Sequence, residues 1–600
     1  MLERQLQQFK TRLGTYALLL LACTSAPHLA QAANPADPNK VIRQAFEAAD
    51  DGFDMVKTQN HYSGWVSEAI FEPLLSYDYL ASPAKLIPKT AEAMPEVTEN
   101  GRVFTFKIKP GIYFAADEAF KGKKHELTAE DYIYTFKRVM DPVNRSPHTS
   151  FIDGKILGMA DAIAKAKKTG KFDYDAPIPG LRAVDRYTLR IELNATDYNF
   201  LYIVAYGAFG AVSREVIDAY GQQTGLHPVG TGPYMIEKYV PRSKIILVAN
   251  PEYRGTTWDF QSTGSAWDEQ IVKDMKGKKL PQVGRVEISI IEEEQSRWLA
   301  FQDGQIDVDK MPQIAAPTVL DGDKLKPSFV SQNIRMNRVP DAGTTFTVFN
   351  MRDPVVGGYT NDKIALRRAI AMSYSHADEI TQMRLGQAIK DEMMIPVGVV
   401  GYDPKYRSSI PHDINLANKL LDHFGYKRGA DGYRTMPDGS PLVIKKTTEA
   451  KAEFKVQSEI WKKGLDQLGI RVEFVVGNFA DNMKAATLCK IGMWNTAWNA
   501  DFPDGENFMQ LLYGPKAEQG NLACYQSAAY DALYKKAVSL PLGEERNKLY
   551  AQMNRQMEAD TPWLMNSTRI RSWLVRPWVK GFKKHPILHA DWEYIDVDKH

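Results

Sequence analysis

The stretch from Pro437 to Val476 constrains the fold of this chain more than any other. Leu442-Val443-Ile444 follows the turn Pro437-Asp438-Gly439, and the segment after it places Ile460, Trp461, Gly464, Leu465 and Leu468 on one helical face. Gly469 stops that helix, and residues 471–476 resume as a strand. Parallel strands need a crossover of this length, so the pattern predicts a parallel strand pair inside an α/β lobe.

Elsewhere α and β signals alternate without an internal repeat. Residues 102–109 put Phe104, Phe106 and Ile108 on one face and Thr105, Lys107 and Lys109 on the other, which predicts a half-buried strand stopped by Pro110-Gly111. Thr128-Ala129-Glu130-Asp131 then reads as a helix start, with Tyr132, Phe136, Val139 and Met140 at helical spacing behind it. Residues 256–281 are polar and weakly periodic, and we expect a long surface insertion there.

At 600 residues the chain suits about four domains, and 44% apolar with 25% charged residues excludes a disordered or collagen-like chain. A basic stretch to Arg12, an apolar run at 16–23 and the pattern Ala30-Gln31-Ala32 read as an export signal over 1–32. Leu20-Leu21-Ala22-Cys23 offers the alternative of a lipoprotein box with a lipid on Cys23. Removing the three basic and one acidic residues of that segment from totals of 75 and 73 leaves 72 of each, so nothing in the balance points to nucleic acid. The run at 201–212 is too short to span a bilayer and suits a buried core element. After export, Cys489 and Cys524 either pair, closing a loop of about 36 residues worth roughly 3–4 kcal/mol, or remain two buried thiols.

Catalytic signatures are missing. The chain has no G-x-S-x-G elbow, Walker loop, H-E-x-x-H or C-x-x-C. Gly230-Thr231-Gly232-Pro233 reads as a turn, because the third glycine of a dinucleotide loop is absent. His585 and His589 have i, i+4 spacing, but Pro586 lies between them with no third ligand nearby, so we expect ordinary surface histidines and no metal. Asp307 and Asp309 lack the glycine and glutamate of a calcium loop.

Several segments, in order, resemble one family. They are Ser67-Glu68-Ala69-Ile70-Phe71-Glu72-Pro73-Leu74; residues 91–114 with the core Phe104-Thr105-Phe106-Lys107-Ile108-Lys109-Pro110-Gly111; Leu127-Thr128-Ala129-Glu130-Asp131; Val229-Gly230-Thr231-Gly232-Pro233-Tyr234 through Tyr253; and Trp498-Asn499-Ala500-Asp501-Phe502. Together they resemble the family 5 extracellular solute-binding proteins, receptor subunits of peptide-importing ABC transporters.

The resemblance implies an α/β, bilobal periplasmic-binding-protein fold with mixed sheets, hinge-linked lobes and an extra inserted small domain. The implied partition is 33–76 and 196–342 in lobe 1, 77–195 as the inserted domain, 343–562 as lobe 2, and 563–600 returning to lobe 1. It implies a monomer in the periplasm that hands its ligand to transmembrane permease subunits, without cofactor or catalysis.

A peptide's α-ammonium buried in a closed cleft needs a counter-ion, and the resemblance assigns that role to Asp501. Read alone, Asp501 in Asp-Phe-Pro-Asp-Gly is a turn-capping aspartate. Trp498 and Phe479 fall at pocket-lining aromatic positions, where packing in the lobe core is the other reading. Residues 59–62, including Asn60 and His61, match a loop lending backbone contacts, and His148 matches a ligand-contacting tyrosine; on residue type alone His61 and His148 read as solvent-exposed. Two departures stand out. Asn495 replaces an arginine that pairs a short peptide's carboxylate, and Asn499 replaces a cysteine; the resemblance still implies ligand contact at both positions. The lost arginine argues for a longer or capped peptide, or for a non-peptide solute such as a metal chelate, haem, an opine or an oligosaccharide.

Overall fold

The computed structural model describes residues 35–58 and 60–599. The export segment, with Ala32 and Cys23, lies outside the described residues.

The crossover forms as its pattern predicts. Val443–Glu449 and Arg471–Gly477 pair in parallel, and helix Ala452–Leu468 between them buries Ile460, Trp461, Gly464, Leu465 and Leu468. Gly469 ends it in the left-handed region at φ 69°, a conformation glycine adopts without steric cost. These strands belong to a 5-stranded sheet that continues through Met493–Asn499, Gly343–Phe349 and Trp563–Met565. The last strand pairs Trp563 with Val348, so this sheet takes in residues beyond position 562. Three apolar residues in a row carry no alternation from which to read that strand.

A 4-stranded sheet of Glu96–Thr98, Val103–Lys107, Thr188–Glu192 and Leu181–Asp185 lies within the expected inserted domain. Its Phe104 and Phe106, and Ile108 beyond the strand end, are buried as their alternation requires. Helix Ala129–Met140 follows, and the Asp131 carboxylate accepts from both the Thr128 N–H (2.8 Å) and its hydroxyl (2.9 Å). Another 4-stranded sheet joins Asp37–Phe46, in parallel, to Val283–Ile290, then to Lys244–Ala249 and Tyr234–Val240. Gly230 and Gly232 press against its neighbouring helix: a Cβ would stand 2.1 Å from the Ile70 carbonyl oxygen at Gly230 and 2.6 Å from it at Gly232. Close backbone approach accounts for that Gly-x-Gly.

Four strands lie at the passage between the two sheets. Arg335–Pro340 pairs with Ser567–Val575 on the lobe 1 side, while Gly343–Phe349 and Trp563–Met565 lie in the lobe 2 sheet. The chain therefore passes from one sheet to the other at 341–342 and returns at 566.

Residues 256–281 depart from the surface insertion expected. Thr256–Thr257 pairs with Lys279–Leu280, helix Ala266–Met275 lies between, and Trp258, Ile271, Met275 and Leu280 are buried together. Four widely spaced apolar residues close a core without making a periodic pattern. Cys489 and Cys524 form a disulfide with Cα atoms 6.1 Å apart, so the two-thiol alternative is set aside.

Candidate functional site

A cavity of about 530 Å³ lies between the lobes. Lobe 1 supplies helix His61–Ile70, the strand Val308–Lys310, Arg571, Trp573 and the segment from Lys584 to Tyr594; lobe 2 supplies Asn499, Ala500 and Asp501, beside the crossing residues Asp341 and Ala342.

The Asp501 side is tightly held. Strand Met493–Asn499 leads into the turn, and Ala500 N–H donates to the Ala342 carbonyl at 2.8 Å. Asn507, fully buried, is the clamp: its Oδ1 accepts from the Asp501 N–H (3.1 Å) and Trp498 Nε1 (2.7 Å), and its Nδ2 donates to Asp501 Oδ2 (3.0 Å). Asp501 itself stays exposed to the cleft. Desolvation by the surrounding protein raises its pKa, against the Asn507 hydrogen bond and the Lys516 charge. Behind the turn, Phe502 stacks on Tyr202 of lobe 1 at 5.6 Å. Asn199 receives Arg546 Nη1 at 3.1 Å and reaches Glu506 at 3.3 Å. Arg546 pairs with the fully buried Asp504 at 3.2 Å.

The lobe 1 wall is aromatic and imidazole-rich. Trp65 Nε1 donates to His61 Nε2 at 2.9 Å, and the His589 ring lies 4.2 Å from His61 and stacks on Trp65 at 5.5 Å. His585 and His589 are not surface residues: both line the cavity, and His585 is 2% exposed. The chain folds them in because His585 Nδ1 accepts from the N–H groups of Ile587 (3.0 Å) and Leu588 (2.9 Å), making a turn that carries both rings inward. Burial and the Lys584 charge hold His585 down to about 3, and burial holds His61 down to about 4 and His589 well below the usual imidazole value. Burial also pushes Glu68, whose carboxylate accepts from the N–H groups of His589 and Ala590, up to about 7.

The cavity gathers Asp501, Asn499, Asn60, His61 and His148. Asn60 caps helix His61–Ile70 by accepting from the Tyr62 N–H, which fixes the loop at that wall; Gln59 is outside the described residues. His148 is buried, not solvent-exposed, with Nε2 2.9 Å from the Thr58 carbonyl. His61 is exposed as expected, but towards the cavity.

Asn495, Trp498 and Phe479 are not among the residues that line the cavity. Asn495 is buried in the sheet, spending its amide on Thr347 (2.7 Å) and Asn566 (3.2 Å) and its oxygen on Trp461 (3.2 Å). Trp498 braces Asn507, as above. Phe479 is 56% exposed beside Trp494, with ring centroids 5.9 Å apart. Sequence reasoning missed Asn507, Glu68, Trp65, Trp573 and Arg571. For Asn507 the Asp-Phe-Pro-Asp-Gly turn was the available signal, since an exposed loop carboxylate needs a buried partner to fix it.

Among the described residues no group of three metal-ligating side chains has the geometry to hold an ion, and no helix is long and apolar enough to cross a membrane.

A sequence model described as "Bacterial extracellular solute-binding proteins, family 5 Middle" matches residues 85–520. Heme-binding protein A of Haemophilus influenzae is 24% identical over 517 residues, 85% of this chain and 84% of that one. Di/tripeptide-binding protein 2 of Pseudomonas aeruginosa is 24% identical over 611 residues, 97% of this chain and 98% of that one. Among solved structures, the periplasmic binding protein DppA from Helicobacter pylori in complex with peptide STSA matches with a TM-score of 0.66 at 21% identity, covering 93% of this chain and 99% of that one.

Proposed function

The chain belongs to the bacterial extracellular solute-binding proteins of family 5, and from that premise we propose that it captures peptides by their free amino terminus between its lobes and passes them to the permease of an ABC importer. The observation that carries this reading is the Asp501 carboxylate, held by Asn507 at the cavity edge and open to the cleft. A buried ammonium without a counter-ion costs several kcal/mol, and Asp501 meets that need without moving. The relatives named for di/tripeptide binding and for a bound peptide support the same class. The mature receptor on this reading is a periplasmic monomer that releases its ligand unchanged. Its partition keeps 77–195 as the inserted domain and extends lobe 2 to Met565.

Mass spectrometry of the ligand released on denaturing the purified protein tests the class: peptides are expected, and a haem, bile-acid or sugar mass would transfer the assignment to a non-peptide solute. Asp501→Asn keeps shape while removing the charge. It should weaken a free-amine peptide by roughly 30- to 5000-fold, the 2–5 kcal/mol typical of a broken buried charge pair. N-acetylating the peptide should cost the wild type as much and the variant little more. Additive losses in isothermal titration would show that Asp501 and the amine do not meet.

A further inference from the structure

Behind the cavity a separate set of contacts joins the lobes, made by residues that are not among those lining the cavity. Asn199 and Tyr202 come from lobe 1, at the helix Phe200–Ile203. Phe502, Asp504 and Glu506 come from lobe 2, in the segment after strand Met493–Asn499, with Arg546 from helix Glu544–Asp560. Phe502 is buried in an apolar core whose other buried members lie between Val56 and Val229, with its ring within 11° of parallel to that of Tyr202. Asn199 precedes its helix, a place where asparagine ordinarily accepts from a helix N–H, yet its side chain makes no such bond. Its own N–H donates to Asp197 Oδ1 at 3.0 Å, and the side-chain amide turns to lobe 2 instead. There Nδ2 donates to Glu506 and Oδ1 accepts from Arg546, a double role that a neutral amide fills and a charged side chain cannot. Arg546, Asp504 and Asn199 are all buried.

We propose that Asn199, Tyr202 and Phe502 form a clasp that holds the two lobes together while the cavity is empty. Because these residues stand behind the cavity, their contacts need no ligand to complete them. Parting the lobes would return the Phe502 and Tyr202 rings to water and strip Glu506 and Arg546 of the amide they share. Water replaces much of the lost hydrogen bonding, so the ring pair supplies most of the resistance to opening. A solute then enters during transient openings of a closed receptor, which slows its association. Phe502 directly follows Asp501, so the clasp also ties the back of the Asp501 turn to lobe 1. It acts alike on a peptide and on any other solute.

Small-angle scattering on protein stripped of ligand by unfolding and refolding, with refolding checked by circular dichroism, tests this. The stripped wild type should scatter as the closed structure does. Asn199→Ala and Tyr202→Ala should each lower the ratio of closed to open forms by about 10-fold. The double variant should lower it by roughly 100-fold and raise the radius of gyration. Tyr202→Phe keeps the ring and should match the wild type. An expanded stripped wild type would overturn the clasp, as would a folded double variant that stays as compact as the wild type. Should the double variant fail to fold, Phe502→Ala, a change in a loop outside both sheets, is judged by the same criterion.

Discussion

The two walls of the cleft are built on opposite plans. On the Asp501 side the groups that hold the turn itself are spent, with Asn507 using both ends of its amide; in the chain of Asp504, Arg546 and Asn199 behind it, Asp504 Oδ2 and Arg546 Nε are buried without a hydrogen-bond partner among the described residues. On the lobe 1 side, Ser67 Oγ, Asp309 Oδ2, Trp573 Nε1, His585 Nε2 and His589 Nδ1 are buried with no hydrogen-bond partner among the described residues. An unsatisfied buried polar atom costs about 1–3 kcal/mol, and on the lobe 1 side such atoms belong to residues lining the cavity itself rather than to a chain behind it. The contrast teaches a division of labour. On the proposed peptide reading, the Asp501 wall is preorganised for one charged group that every ligand of the class shares, while the lobe 1 wall keeps unspent donors and acceptors beside aromatic faces, the composition suited to varied side chains.

The largest test of this contrast is the disulfide, which lies on the Asp501 side only. Cys489 precedes the strand Met493–Asn499 that carries the turn, and its bond to Cys524 closes a loop with a sequence separation of 35. Replacing both cysteines by alanine should cost about 3–4 kcal/mol on the chain-entropy account. Hydrogen exchange should quicken at Met493–Asn499 and stay unchanged at Asp37–Phe46. Equal acceleration in both strands would mean the Asp501 wall is not separately stapled.

A smaller effect is expected from Asn507→Ala. It leaves the Trp498 indole N–H and the Asp501 N–H without their acceptor and frees the carboxylate, for a loss of roughly 2–3 kcal/mol in stability. A merely structural role would weaken free-amine and N-acetylated peptides equally. Positioning of Asp501 should instead weaken the free-amine peptides by about 10-fold more, because only they use the carboxylate that Asn507 aims. Titration of both peptides against the variant separates the two.

The sequence revealed regular elements far better than it revealed the cleft, for a physical reason. The crossover at 443–477 and the strand at 103–107 write their burial as a period of 3.6 or 2, which one segment displays alone. The core of Trp258, Ile271, Met275 and Leu280 is assembled from a hairpin and a helix, so no window of sequence contains its pattern. Asp501, Asn60 and His61 could be singled out through resemblance, because they sit in recognisable motifs, and all three line the cavity. The place of His585 at the cavity could not be, since it arises when residues about 500 positions apart, His585 and Trp65, meet at one wall. Asn495 was misread as ligand-facing because its strand borders the site while its amide turns into the sheet.

The last and smallest effect concerns acid. His585 Nδ1 accepts two backbone N–H groups, so its proton sits on Nε2, and a second proton would have to displace one of those bonds in a buried place. The folded imidazole is therefore held down to about 3, against roughly 6.5 in an unfolded chain. Between those values the unfolded chain binds the extra proton, so this contribution to stability is complete above pH 6.5 and is lost at about 1.4 kcal/mol per pH unit below it. Glu68 and Asp309, both pushed up to about 7 by burial, act with the opposite sign. Their folded forms hold protons that the unfolded chain has released, so acidification through pH 7 relieves a penalty. The wall's total acid response is a difference between these terms, and a single substitution is needed to isolate one. His585→Asn places an amide oxygen where Nδ1 accepts, keeping the turn and deleting the titration. Urea unfolding at pH 7.5, 6.5, 5.5 and 4.5 should find the variant less stable by about 1–2 kcal/mol at the top of the range, the usual cost of a smaller buried side chain. That gap should close below pH 6.5 and reverse near pH 5, as the wild type alone pays for keeping an imidazole neutral. Parallel stability curves would mean that His585 titrates normally, and the lobe 1 wall would then lose its claim to differ from the Asp501 wall in how it meets protons.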